Sequence, residues 1–422
     1  MSDKIKSILI ASNPWWKSGR IEVDFKPRTI LSAMDKYHKL RQIVALTGLR
    51  RSGKTTLLKK IMQDFLVVKN AEDLLFFSFD DFQDNDISDI LEEYCILFHK
   101  GIREQVFFFD EIQKVKGWQE KVKRIYDQYP KTKIYLSGSE SLLMISGGKE
   151  SLAGRMFTFT VEPLSFPEFL AFKGITIGNP DLYKRELMRE LVAFVETGGF
   201  PELVSIKDKE ILVKYLRELI LEKILFRDIP RLFPIENPAH LEAVMNIIVN
   251  NPGFLLDLTD MSNEIGISRQ SLAKYVDYLE KSFMVCKLYN YSRNRMVSEK
   301  RSKKIYTRIP ALSKHISLDL QKESKVMENV IALSTRAKYF WRTAQGDEVD
   351  IVLEGKAPFP IEVKQRNKKE QYGGLMKFMN RFDVRRGLVI SKDIESTDRL
   401  DNKTIVHVPA WKFLLDQDKY LM

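Results

Sequence analysis

The chain opens with short apolar runs separated by longer stretches whose apolar residues recur every three or four positions. The runs are Val44 to Leu46, Leu74 to Phe79, Val106 to Phe109 and Ile134 to Leu136. Runs this continuous, without polar alternation, predict strands buried on both faces, as in the middle of a parallel sheet. The amphipathic stretches that follow Gly53, and those over Ile87 to His99 and Trp118 to Gln128, predict helices packed on that sheet. An arm precedes it. Asp3 to Ala11 reads as a short helix, Trp15 and Trp16 as an apolar plug docking the arm, and Arg28 to Tyr37 as a helix leading to the first strand.

The pattern then changes. Leu182 to Glu196 and Lys209 to Phe226 carry long helical periodicity, broken between them by Gly198-Gly199-Phe200-Pro201. Pro230, Pro234 and Pro238 mark a linker. Beyond His240, helices are predicted over Ala243 to Asn250, Leu256 to Ile265 and Arg269 to Leu279, the last capped by Ser268. A strand over Phe283 to Leu288 follows, and helix, helix, turn, helix, ribbon is the order of a winged helix. In the last stretch a helix opens at Val326. Strands follow over Lys338 to Arg342, Asp347 to Leu353 and Pro360 to Lys364.

The chemistry concentrates where the first strand ends. Gly48-Leu49-Arg50-Arg51-Ser52-Gly53-Lys54-Thr55 fits G-x-x-x-x-G-K-[ST], the P-loop, with Thr56 next. Its backbone N–H groups, together with a helix N-terminus, converge on phosphate oxygens. Lys54 is placed to reach the β- and γ-phosphates of ATP, and Thr55 to ligate Mg²⁺. The Val106 run ends in Asp110-Glu111, the Walker B pattern. Asp110 then shares the Mg²⁺, and Glu111 is the general base. Lys133 to Ser137 is a strand expected between those of the P-loop and of Asp110, so Ser137 or Ser139 is a candidate for the γ-phosphate or the lytic water.

These motifs, with Ser151-Leu152-Ala153-Gly154-Arg155 and Glu162-Pro163-Leu164-Ser165-Phe166, resemble those of AAA+-type ATPases. In particular the chain resembles an archaeal and bacterial group with a C-terminal nuclease-like domain of uncertain role. The resemblance implies ATP binding and hydrolysis, and a helical lid after the core. The implied fold is an α/β P-loop NTPase with an AAA+-type parallel sheet and helices on both faces. To it are added the lid, a winged helix and a C-terminal restriction-endonuclease-like α/β domain. The expected limits are 1–34 for the arm, 35–165 for the core, 166–235 for the lid, 236–308 for the winged helix and 309–422 for the last domain. Arg155 becomes a candidate for contacting the γ-phosphate, in cis or in trans from a homo-oligomer partner. Arg227 and Arg231 are rivals, and the sequence does not choose.

The winged helix offers Arg269, Gln270, Ser271, Lys274 and Tyr275 to a groove, and its ribbon tip Arg293, Arg295, Lys303 and Lys304, which points to DNA. A solvated basic loop on a protein-binding module is the alternative. Asp350 with Glu362-Val363-Lys364 resembles the PD-(D/E)xK nuclease signature, with Glu328 as its helix-borne acid. Residues two apart on a strand share a face, so Glu362 and Lys364 point to one pocket. Two such carboxylates suit a divalent metal. Val349 stands where a proline is expected, at a position that varies in the superfamily; cutting and mere docking both remain open, since a fold does not guarantee its usual chemistry.

Composition narrows the setting. The 422 residues suit two or three domains. A net charge of +11 fits a polyanionic partner. Cys95 and Cys286 lie far apart, which argues against a disulfide or zinc site and for a reducing cytoplasm. No apolar run reaches membrane-spanning length. Three functions compete: a DNA-associated ATPase, an ATP-gated metal-dependent nuclease, and a signalling or scaffold ATPase that binds protein alone.

Overall fold

The computed structural model describes residues 2–80, 86–138, 152–316, 323–364 and 372–421. The chain forms two compact units, Met1–Pro163 and Leu164–Met422. Among the described residues, no helix is long and apolar enough to cross a membrane.

The first unit is built on five parallel strands: β1 (Ile43–Thr47), β2 (Leu74–Ser78), β3 (Val106–Asp110), β4 (Lys133–Ser137) and β5 (Met156–Thr160). Their order across the sheet is β2-β3-β4-β1-β5. Every residue of β1, β3 and β4 is buried, which is what their unbroken apolar runs predict for central strands. One face carries the Lys54–Phe65 helix, whose Leu57, Leu58 and Ile61 pack with Phe76, Phe108 and Tyr135. The other carries Ile87–Phe98 and Trp118–Gln128, packed with Phe77, Phe107 and Phe109.

The N-terminal arm closes the exposed edge of this sheet. The Asn13 side chain accepts from the Phe76 N–H at 2.7 Å and donates to the Phe76 carbonyl at 3.0 Å, as a neighbouring strand would. The indoles of Trp15 and Trp16 both donate to the Leu74 carbonyl. A bare β2 edge would present unpaired backbone, and the arm covers it.

The second unit carries a nine-stranded mixed sheet, ordered β13-β14-β12-β11-β10-β9-β7-β8-β6. The strands are β6 (Phe254–Leu256), β7 (Val285–Asn290), β8 (Lys303–Thr307), β9 (Tyr339–Arg342), β10 (Glu348–Leu353), β11 (Phe359–Val363), β12 (Arg386–Ser391), β13 (Ser396–Leu400) and β14 (Lys403–Pro409). Between Pro238–Asn250 and β8 the order is helix, strand, helix, helix, strand, short helix, strand. Here β8 pairs antiparallel with both β6 and β7. The expected break at residue 308 is not a boundary in this sheet, because β7 runs parallel with β9 through Tyr289 and Asn290. The ribbon and the C-terminal strands are one sheet.

The segment expected as a lid also belongs here. Phe166, Phe169, Leu187 and Leu191 share a core with Val330, Ile361 and Trp411 of the C-terminal region. Helical periodicity showed that these residues need an apolar partner, but not which one. The helix from Lys209 passes into wider turns at Tyr215–Leu221 and Ile224–Asp228.

Candidate functional site

The P-loop connects the end of β1 to the Lys54–Phe65 helix. Its backbone takes left-handed φ at Gly48 (138°), Arg51 (63°) and Gly53 (97°). A Cβ at Gly48 would lie 2.4 Å from the Val161 carbonyl oxygen, so only glycine fits. Arg28 braces the loop from outside the motif. Its guanidinium donates to the Ser52 carbonyl at 3.1 Å and to the Glu162 carbonyl at 2.7 Å. Nothing in the sequence announces this contact, since Arg28 and Glu162 are far apart along the chain.

Lys54 is the first residue of the helix and is buried, with 6% exposure. Its Nζ donates to the carbonyls of Gly48 (3.1 Å) and Leu49 (2.8 Å). The Thr55 hydroxyl donates to Asp110 Oδ2 at 2.7 Å. Ser137 donates to the other oxygen of the same carboxylate. Register explains the convergence: β4 pairs with both β1 and β3, so the C-terminal ends of the three strands meet at one edge. Glu111 follows β3 at φ 53°, which turns it off the strand, and its carboxylate accepts from Gln113 Nε2 at 2.5 Å. Burial and then the charge of Asp110 push the Glu111 carboxyl up, while Lys54 pulls against them.

The donor set suits a nucleotide with Mg²⁺. Thr55 and Asp110 supply adjacent hard oxygens, the kind Mg²⁺ takes. The Ser52 hydroxyl lies buried in the loop without a hydrogen-bond partner among the described residues. Gly48 to Thr56 thus form one loop and helix start, and Lys54, Thr55, Asp110 and Glu111 meet at its edge. Ser139 lies outside the described residues.

Arg155 is elsewhere. It precedes β5, its carbonyl accepts from Ile43 N–H at 2.8 Å, and its Nε pairs with Asp127 at 3.1 Å. That is where the parallel strands begin, whereas the P-loop follows where they end. The separation is roughly 15–20 Å along the strand direction. The expectation that Arg155 reaches the γ-phosphate of its own P-loop is therefore corrected. Proximity in sequence to the fifth strand did not say at which end the side chain sits.

In the second unit the structure brings Glu328, Asp350, Glu362 and Lys364 together, and adds residues not expected there. Glu328 comes from the Glu323–Ser334 helix. The β9–β10 register slips by one residue between Val349 and Val352, the stretch that holds Asp350 and Ile351. Asp350 Oδ2 accepts from the Val363 N–H at 3.0 Å, and Lys364 Nζ lies 3.7 Å from Glu362. Into this cluster projects Lys304, 1% exposed. Its Nζ is 2.6 Å from Glu348, 2.9 Å from Glu328 and 3.4 Å from Asp350. Tyr306 donates to Glu328 at 2.5 Å, and Lys325 pairs with its other oxygen at 2.6 Å. Burial pushes Glu328 up, but Lys304 and Lys325 outweigh it and hold the carboxyl below its ordinary value. Asp350, raised by burial and by Glu328, is pushed up to about 6. Glu362, raised by burial and by Asp350, is pushed up to about 8, and its Oε2 has no hydrogen-bond partner among the described residues.

The expectation that Lys304 contacts DNA is overturned, because its side chain is enclosed. Strand alternation was the available signal: Lys304 and Tyr306, two apart on β8, face the same way. Tyr275 is buried too, whereas Arg269, Gln270 and Lys274 are exposed at the start of the Arg269–Lys281 helix. Arg293 donates to the Phe382 carbonyl at 3.3 Å, Arg295 lies 3.9 Å from Glu354, and Lys303 donates to the Glu299 carbonyl at 3.0 Å.

Residues 40–170 match an AAA domain, 188–323 a domain of unknown function (DUF8612) and 322–411 another (DUF4143). An uncharacterized protein of Methanocaldococcus jannaschii is 27% identical over 404 residues, covering 89% of this chain and 88% of its own. One from Haemophilus influenzae is 28% identical over 259 residues, covering 59% of this chain and 62% of its own. A signal transduction ATPase with numerous domains, carrying a tetratricopeptide repeat sensor, from Pyrococcus horikoshii aligns over 75% of this chain and 46% of its own. Its TM-score is 0.28, at 12% identity. Cdc6p from Pyrobaculum aerophilum aligns over 78% and 93%, with a TM-score of 0.26 at 12% identity. Scores this low leave the domain match and the site geometry as the basis for assignment. The AAA-domain match over residues 40–170, the parallel sheet and the P-loop facing Asp110 together support a P-loop ATPase.

Proposed function

We propose that this protein binds and hydrolyses ATP at the P-loop and uses the cycle as a switch, with its second unit engaging DNA. The observation that carries the ATPase reading is the Thr55 hydroxyl on the Asp110 carboxylate, beside a helix that opens with Lys54. Loop amides and the helix N-terminus hold the phosphates, and Lys54 turns from its two carbonyls toward the β- and γ-phosphates. Thr55 and Asp110 would hold Mg²⁺, which would supply neutralising charge for the phosphates. Glu111, in its left-handed turn beside Asp110, takes the proton of the attacking water. Burial raises the Glu111 carboxyl above its ordinary value, the direction that suits a base.

The DNA half of the proposal rests on the helix and strand order from Pro238 to Thr307, which is that of a winged helix, and on the exposed Arg269, Gln270 and Lys274. The net charge of +11 agrees with it.

ATP turnover measured for the wild-type chain and for Lys54→Ala, with and without duplex DNA, tests both halves. Lys54→Ala is expected to lose about 10²–10³ in turnover, the scale for removing one donor to a developing charge. Turnover that survives it removes the ATPase reading. DNA affinity is expected to fall steeply with salt, and Lys274→Ala to lower the salt slope by about 1. Binding that is absent or indifferent to salt removes DNA and leaves a scaffold ATPase that binds protein.

A further inference from the structure

A PD-(D/E)xK centre works through a divalent metal held by carboxylates. The carboxylates are present in the second unit, but so is a cation. We infer that the Lys304 ammonium is the resident cation of the Glu328–Glu348–Asp350 cluster and keeps divalent metal out of it.

Three observations carry this. First, Nζ sits within 3.4 Å of an oxygen of each carboxylate, the point from which a metal would have to draw its own ligands. Second, the charge closes locally. Glu328 is shared by Lys304 and Lys325, and Glu348 by Lys304 and Arg342, the latter at 2.6 Å, so three carboxylates meet three cations. An incoming divalent ion gains little from a neutral cluster and must displace a buried ammonium to enter. Third, each oxygen of the three carboxylates already has a donor or a cation beside it. Asp350 Oδ2 accepts the Val363 N–H, and Glu328 Oε1 accepts the Tyr306 hydroxyl.

The position of Lys304 is not incidental to one rotamer. It lies on β8, where backbone pairing with β6 and β7 on both sides fixes which face each side chain takes. The ribbon that leads from the predicted winged helix thus delivers the ammonium that fills the predicted nuclease centre. In this state Glu362 Oε2 stays open among the described residues, but Glu328, Glu348 and Asp350 do not offer the open carboxylates that metal-assisted hydrolysis of a phosphodiester needs. The ion-pair cluster instead ties β8, β10 and the Glu323–Ser334 helix together.

The test is Mn²⁺ binding to the full chain, nucleotide-free and chelator-stripped, followed by paramagnetic resonance. A Thr55→Ala background removes the P-loop hydroxyl ligand, so that this outcome is separate from the ATPase reading. With Lys304 present, no Mn²⁺ binding sensitive to Asp350→Asn is expected. Lys304→Met is expected to create such a site, and Lys304→Arg is expected to leave it closed. Asp350-dependent Mn²⁺ binding with Lys304 in place overturns the inference, as does a folded Lys304→Met chain that takes no Mn²⁺. Should Lys304→Met fail to fold by circular dichroism, the Lys304-containing chain and its Asp350→Asn variant decide the matter alone.

Discussion

Lys54 and Lys304 are both buried lysines set among carboxylates, yet their surroundings differ in kind. Lys54 is held by two neutral carbonyl oxygens, and the nearby acids take neutral donors: Thr55 and Ser137 for Asp110, Gln113 for Glu111. Lys304 is held by the carboxylates themselves, and two of them, Glu328 and Glu348, take further cations. Neutral donors on Asp110 and Glu111 leave the negative charge of those acids in place, which suits a site that receives a metal. Charged partners cancel it, which suits a site that receives nothing. The same residue types are therefore poor guides to function until their pairing is known.

The largest effect that sharpens this contrast is expected at Glu111. Glu111→Gln keeps the size and the contact with Gln113 but removes the base, so turnover is expected to fall by about 10²–10⁴. Nucleotide retention on a filter is expected to persist. Unchanged turnover would show that the water is activated by another group.

Next comes stability. Lys304→Met leaves the buried Glu328 and Asp350 and the half-buried Glu348 without the ammonium they share, and breaking a buried pair of this sort costs about 3–5 kcal/mol. Lys54→Met removes bonds to two carbonyls at the mouth of a loop and is expected to cost less. Chemical denaturation of the two variants against wild type measures both. Equal losses would mean that Lys304 is no more committed to its cluster than Lys54 is to its loop.

The first unit was legible because its signals are local. Gly48, Gly53, Lys54 and Thr55 lie within one turn of chain, and Asp110-Glu111 end a run that nothing but a buried strand explains. The second unit was legible only in pieces. Glu328, Asp350, Glu362 and Lys364 do converge, but the cation among them comes from a strand assigned to another domain. A single β7–β9 pairing over Tyr289 and Asn290 erases that division, and such a pairing leaves no mark in periodicity. The lid helices fail for a similar reason. Their apolar faces were plain, but their partners, Val330, Ile361 and Trp411, lie more than a hundred residues away. Arg28 is the mirror case in the first unit, a brace on the P-loop with no motif to announce it.

Two acids of the same centre extend the comparison to pH. Burial and neighbouring carboxylates push Asp350 up to about 6 and Glu362 up to about 8, both above their ordinary values. A folded state that binds protons more tightly than the unfolded one gains stability where those protons are bound and loses it as pH rises. The stability of the second unit is therefore expected to fall between about pH 5 and pH 8. Glu362→Gln, which cannot ionise, is expected to flatten that fall. Unfolding midpoints at a series of pH values check the slope. A slope that Glu362→Gln leaves intact would place the proton on another group.

The smallest effect is expected at Arg155, and its size is informative because the residue lies at the far end of the sheet from Lys54. Its pairing with Asp127 is partly exposed, and such pairs contribute about 0–1 kcal/mol. Arg155→Ala should therefore barely alter unfolding, and should leave turnover unchanged at dilutions where the chain is alone, since no path within one subunit leads from Arg155 to the P-loop. A finger supplied in trans behaves differently. If the chain self-associates with that edge of the sheet against a neighbour's nucleotide, turnover per subunit rises with protein concentration. In that case Arg155→Ala removes the rise, on the scale of about 10³–10⁵ for such residues, while leaving the dilute rate alone. Arg227→Ala and Arg231→Ala assayed across the same dilution series separate the three arginines. A loss of turnover in Arg155→Ala that does not depend on concentration would contradict its place at the start of β5, and with it the geometry from which Lys54, Thr55, Asp110 and Glu111 were grouped.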